Sequence, residues 1–183
     1  MIWKKLSSEY ISKHIYFTAR KDVCEMPDGQ IVDPYFVVEL PTSVCAMAVT
    51  DNNEVVLAEQ YRHPVEESLI EIPGGFVDAG ESSGKAIARE LLEETGYEFT
   101  NYVFLARVAA NPGVLNNYTD LYLATGGKKV ASQQLDANEE IKIKLLPLET
   151  VRQMLMKNEF KQAMHVACLF YAFNKLDAGQ AAE

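Results

Sequence analysis

The chain has 183 residues, 48% of them hydrophobic, which suits one globular domain with a sizeable core and room for a small appendage. A formal net charge of −9 speaks against nucleic acid or an anionic membrane as partner, and leaves open a phosphorylated small molecule whose approach divalent cations would neutralise. Cys24, Cys45 and Cys168 lack CxxC spacing, no run approaches the ~18 apolar residues of a membrane span, and MIWKKLSSEY lacks an apolar signal core; reduced thiols in a cytoplasmic protein are expected.

Residues 1–40 read as a strand-rich N-terminal segment. Tyr16-Phe17-Thr18 and residues 31–40 are rich in β-formers, with a turn signal at Pro27-Asp28-Gly29 between them. The segment is too small to bury a core alone. Its aromatic residues suit packing, and Tyr16 and Phe17 are also candidates for stacking on a nucleobase. From residue 41 a larger domain runs to 177: SVCAMAVT, a turn at Asp51-Asn52-Asn53, and EVVLAEQYR predict two buried strands in hairpin order, followed by a third ending at Pro73. His63, before Pro64, reads as structural.

The stretch GGFVDAGESSGKAIARELLEETGY, residues 74–97, organises the rest. Ser82 or Ser83 can cap a helix, good helix formers follow, and Gly96 suits the position just past its end, which predicts a helix over residues 83–95. At ~100° per residue, Glu90, Glu93 and Glu94 share one face, while Ala88, Leu91, Leu92 and Thr95 cluster on the other. Clustered like charges need compensation. Arg89 reaches Glu93 four residues on, and the remaining carboxylates are the oxygen donors that Mg²⁺ or Mn²⁺ prefer.

Residues 98–109 suit a buried strand, Asn111-Pro112-Gly113 forces a loop, and residues 118–124 resume as a strand. Residues 126–137 are polar and aperiodic, a mobile surface loop closed by Asn138-Glu139-Glu140 before the strand IKIKLLPL. Residues 148–157 and 161–176 predict amphipathic helices, with His165 packed in the second, and the tail 178–183 is expected to fray.

Gly75, five residues, Glu81, seven residues, then Arg89-Glu90-Leu91-Leu92-Glu93-Glu94-Thr95-Gly96 resembles the signature of the Nudix hydrolases, with Tyr97 where that family usually carries a small aliphatic residue. The resemblance implies an α/β/α sandwich with a mixed central sheet. It also implies metal ions held by Glu90, Glu94, Glu93 and the Gly74 carbonyl, with Glu81 behind them near the helix start and Arg89 orienting Glu93. Such ions would polarise a diphosphate and acidify the attacking water. The segments EQYRHP and EIPGG, with Pro112 sixteen residues after Gly96, are similar to the branch that cleaves ADP-ribose and other nucleotide sugars. On that likeness Arg62 would hold a phosphate or terminal ribose, its alternative being a surface arginine paired with Glu66 or Glu67. Asn116 and Asn117 would bind ligand hydroxyls or merely end their loop. Glu139 or Glu140 would be the general base on a mobile loop, or else ordinary solubility residues. Nucleotide-sugar relatives exchange the N-terminal piece between subunits, so a homodimer is expected. Other Nudix substrates, such as dinucleoside polyphosphates or oxidised nucleoside triphosphates, and a non-catalytic nucleotide-sugar-binding regulator remain alternatives.

Overall fold

The structure, a computed structural model, describes residues 1–14, 17–136 and 139–180. The chain forms two compact units, Met1–Pro41 with Ala109–Tyr118, and Thr42–Val108 with Thr119–Glu183.

The smaller unit is an antiparallel meander of β1 (Lys4–His14), β2 (Phe17–Glu25) and β3 (Ile31–Glu39). The Pro27-Asp28-Gly29 signal makes the β2–β3 turn, closed by the Gly29 N–H on Met26 O at 2.9 Å. Its first strand has no counterpart among the expected elements. KKLSSEYISKH is exposed along almost its whole length, so apolar alternation could not reveal it. Backbone pairing with β2 holds it, and the Ser8 hydroxyl donates to Asp22 at 2.5 Å.

The larger unit is a three-layer sandwich. Its sheet runs β11 (Ile141–Pro147), β5 (Glu54–Arg62), β4 (Ser43–Thr50), β10 (Thr119–Lys129), β8 (Tyr97–Glu98), with β6 (Glu67–Glu71) on β5, β7 (Gly74–Phe76) on β4 and β9 (Asn101–Val108) on β10. β4 and β10 are parallel, from Ser43 opposite Thr119 onward, and the other pairings are antiparallel, so the sheet is mixed. SVCAMAVT is apolar at nearly every position because both faces of β4 are covered. Cys45, Met47 and Val49 face the layer of α2 (Leu148–Met156) and α3 (Ala163–Gln180); Val44, Ala46 and Ala48 face α1 (Ser83–Thr95). Ile87 and Leu91 of α1 are fully buried, each worth ~1.5–3 kcal/mol over exposure. The α/β class expected from the sequence is the one observed.

Two expectations are corrected. The polar stretch from residue 126 is not loop at its start: β10 continues through Lys129, with Gly126 at φ 74° and Gly127 lying flat against the Phe99 ring, where a side chain would clash. Two glycines inside a strand had read as a strand end. Residues 178–180, expected to fray, continue α3. Among the described residues no helix is long and apolar enough to cross a membrane. All three cysteines are free thiols.

Candidate active site

Helix α1 spans the expected residues, with Gly96 left-handed at φ 70° after its end. Ser82 is the N-cap but makes no side-chain cap bond; the Ser83 hydroxyl meets the Tyr122 hydroxyl at 2.8 Å. Tyr97 packs beside Phe99, with ring centroids 6.4 Å apart, so the aromatic residue fills core space.

The charged face of α1 is graded, with Glu94 buried, Glu90 half-buried and Glu93 the most open of the three, so the carboxylate patch is not set wholly opposite the core. Glu94 is 8% exposed, and its Oε2 accepts the Gly74 N–H at 3.0 Å. Burial pushes its carboxyl up to about 8 against the pull of that bond, and the charges of Glu90 and Glu139 push the same way. Burial also raises Glu90. Glu90 fits because residue 75 is glycine: a Cβ there would fall on the Glu90 carboxylate.

Arg89 does more than compensate Glu93. Nε and Nη2 fork onto Glu81 at 3.2 and 2.9 Å, Nη1 donates to Glu90 at 2.9 Å and to Glu93 at 3.1 Å, and Nη2 also donates to Phe76 O at 3.1 Å. One guanidinium thus ties the end of β7, the loop at Glu81 and two turns of α1, and holds Glu81 below the usual carboxylate range.

These are hard oxygen donors around a glycine cradle, with a buried carboxyl short of positive charge, a set that fits a divalent cation. Among the described residues, no three His, Cys, Asp or Glu side chains converge into a ready metal cage, and Arg89 donates to oxygens of Glu81, Glu90 and Glu93.

Of the two candidate bases, Glu139 is half-buried and its charge acts on Glu90, Glu94 and Arg62, whereas Glu140 is exposed. The side chain of Arg62 is paired with neither Glu66 nor Glu67, which it meets only through the backbone. It forks onto Glu71, a residue that sequence reasoning passed over, although an acid between Ile70 and Ile72 signals a carboxylate carried into the core.

In the smaller unit, Phe17 is exposed at the start of β2, and Tyr16 lies outside the described residues. Asn116 Oδ1 accepts the Leu40 N–H at 3.0 Å and the Asn117 amide donates to Pro41 O at 3.0 Å, so both asparagines fasten their loop to the segment that follows β3. Pro112 is exposed within it. A second missed pair lies in the larger unit: Asp120, 1% exposed, takes the Arg107 fork at 2.6 and 2.8 Å, which holds its carboxyl below the usual range.

Residues 39–166 match the NUDIX domain model, and residues 3–38 match that of the nucleoside diphosphate sugar hydrolase N-terminal domain. The chain is 32% identical over 169 residues to the methanol dehydrogenase activator of Bacillus methanolicus, covering 92% of this chain and 91% of that protein. It is 30% identical over 167 residues to the ADP-ribose pyrophosphatase of Mycobacterium tuberculosis, covering 90% and 80%. The crystal structure of an ADP compounds hydrolase shares the fold, with a TM-score of 0.86 at 22% identity over 98% of this chain and 96% of that one. With its signature glutamates gathered around Arg89 and Gly74 and a family model covering most of its length, the chain belongs to the Nudix family.

Proposed function

We propose that this Nudix pyrophosphohydrolase cleaves the diphosphate of ADP-ribose or a related nucleoside diphosphate sugar, giving a nucleoside monophosphate and a sugar phosphate. The carrying observation is the pairing of half-buried Glu90 with buried Glu94 beside Gly74, with Glu139 in electrostatic reach. The match of residues 3–38 to the N-terminal domain of nucleoside diphosphate sugar hydrolases, and relatives named ADP-ribose pyrophosphatase, support the substrate class.

Glu90, Glu94 and Glu93, with the Gly74 carbonyl, would hold divalent cations, Mg²⁺ or in its place Mn²⁺. Such ions supply charge neutralisation at the diphosphate and a more acidic attacking water. Arg89 keeps Glu93 and Glu90 in place, and Glu81 anchors Arg89 from the loop before the helix. Water adds to one phosphorus, the bridging P–O bond breaks, and each product leaves as a monophosphate. Glu139 takes the proton of that water; it is preferred to Glu140 because its charge reaches the cluster.

The test is product analysis by chromatography over ADP-ribose, other nucleotide sugars, dinucleoside polyphosphates and oxidised nucleoside triphosphates, with and without Mg²⁺. The highest kcat/KM is expected for a nucleotide sugar and only with the cation. Preference for a triphosphate or dinucleoside polyphosphate would replace the substrate class, and tight ADP-ribose binding without turnover would make the chain a regulator.

A further inference from the structure

Glu71, at the end of β6, is 2% exposed and has no part in the steps above. A carboxylate so deep in a fold is strongly unfavourable unless paired. Its pairing comes from one side: Arg62 Nε donates to Oε1 at 3.1 Å and to Oε2 at 3.2 Å, and Nη2 donates to Oε2 at 2.5 Å. Behind it, on α3, His165 places Nδ1 4.0 Å from the same Oε2, beyond hydrogen-bond reach, while its Nε2 meets the Gln162 amide at 3.1 Å. Burial holds this imidazole neutral.

Arg62 therefore has one edge committed. Among the described residues its Nη1 donates no hydrogen bond, and the guanidinium lies in electrostatic reach of Glu94 and Glu139. Holding one edge on a buried acid removes most of the freedom of a long side chain before any ligand arrives.

We propose that Glu71 is a positioning residue: by clamping the Nε–Nη2 edge of Arg62, it presents the Nη1 edge to the phosphate oxygens of a nucleoside diphosphate sugar lying against the glutamate cluster. This rests on the hydrolase reading above. Glu71 touches no substrate and acts through Arg62 alone.

The test uses the full chain, ADP-ribose and a saturating divalent cation. Glu71→Gln keeps the shape but loses the charge, and is expected to raise KM ~10-fold with kcat within about threefold. Arg62→Lys, which cannot fork, is expected to raise KM comparably, and the double variant to be no worse than Arg62→Lys alone. Additive effects, or an unchanged KM in Glu71→Gln with only a lower Tm, overturn the clamp. If Glu71→Gln fails to fold, Glu71→Asp, which keeps the charge but shortens the reach, carries the same KM expectation, and an unchanged KM there overturns it. The ¹⁵N–¹H signal of Arg62 Nε, identified by its loss in Arg62→Lys, gives a readout independent of turnover. Slow solvent exchange in wild type and faster exchange in the Glu71 variant support the clamp; equal exchange overturns it. Wild-type chain that turns over no nucleoside diphosphate sugar overturns the hydrolase reading itself, whereas wild-type turnover with an unaltered variant KM overturns only the positioning role.

Discussion

The Gly74 N–H donates to Glu94 Oε2 at 3.0 Å, joining the start of β7 to the last turn of α1 across 20 residues of chain. The bond needs an acceptor, not a charge, and so separates fold from chemistry at this residue. A carboxyl raised from its ordinary 4.5 to about 8 holds its proton more tightly when folded. Its contribution to stability is full below 4.5 and is lost as pH rises through 8. Without divalent cation at pH 8, Glu94→Gln is therefore expected to match or exceed wild type in Tm. Mg²⁺ should raise the wild-type Tm but not the variant's, and turnover should fall ~10²-fold or more. Calorimetry with paired rate assays checks this; normal turnover would remove Glu94 from the site.

Arg89 is the common partner of Glu81, Glu90 and Glu93. Arg89→Ala leaves three neighbouring carboxylates without it, and is expected to destabilise by about 2–4 kcal/mol in urea unfolding. Arg89→Lys should fall between, since a point charge cannot bond all three acids. Indifference of the midpoint to both changes would show the network to be idle.

Glu139 and Glu140 are adjacent but unequally placed. Glu139→Gln is expected to lower kcat ~10²–10⁴-fold with KM within a few-fold, and Glu140→Gln to leave both near normal. Equal, near-normal kcat in both variants would move the base elsewhere.

His165 is held neutral, its pKa lowered by burial from 6.5 to about 4. Its contribution to stability is full above 6.5 and is lost as pH falls through 4, to a ceiling of about 3 kcal/mol. Glu94 acts in the opposite direction over part of this window. The difference in unfolding free energy between wild type and His165→Gln, taken at each pH, cancels that effect. The variant is expected to lose less stability between pH 7 and 4, and parallel curves would rule the histidine out.

The meander carries exposed Leu6, Tyr10, Ile11, Phe17, Ile31 and Phe36, apolar side chains that a partner surface would cover. A homodimer covering part of it is expected by light scattering at micromolar concentration. A stable, active monomer would count against the assembly.

The signature helix was legible because capping residues, helix formers and a terminal glycine all agree over residues 83–95, and β4 because its unbroken apolar run needs cover on both faces. β1 was not legible, since a strand exposed on both sides carries no period. Nor was the far end of β10, where Gly126 and Gly127 make room for Thr100 and Phe99 that only the folded chain brings there. Within the site, the spacing that brings Arg89 to Glu93 is local and could be counted. The partnership of Glu94 with Gly74 depends on how α1 docks on β7, which no window of sequence contains, whereas that of Arg62 with Glu71 lies within the β5–β6 hairpin and was signalled by an acid set between Ile70 and Ile72.

The parallel pairing of β4 with β10 joins positions 76 residues apart at Ser43 and Thr119. Closing a loop of that length costs about 4 kcal/mol in chain entropy. The hairpins and α1 rest on near neighbours, whereas this pairing and that of β11 with β5, from Ile141 opposite Gln60 to Pro147 opposite Glu54, must close long loops, which slows folding. Every signature glutamate lies inside the loop. A nascent chain ending before β10 carries every signature glutamate and the β5 and β7 partners of β4 but lacks its parallel neighbour, and Glu139 follows only after residues 119–129 have been made.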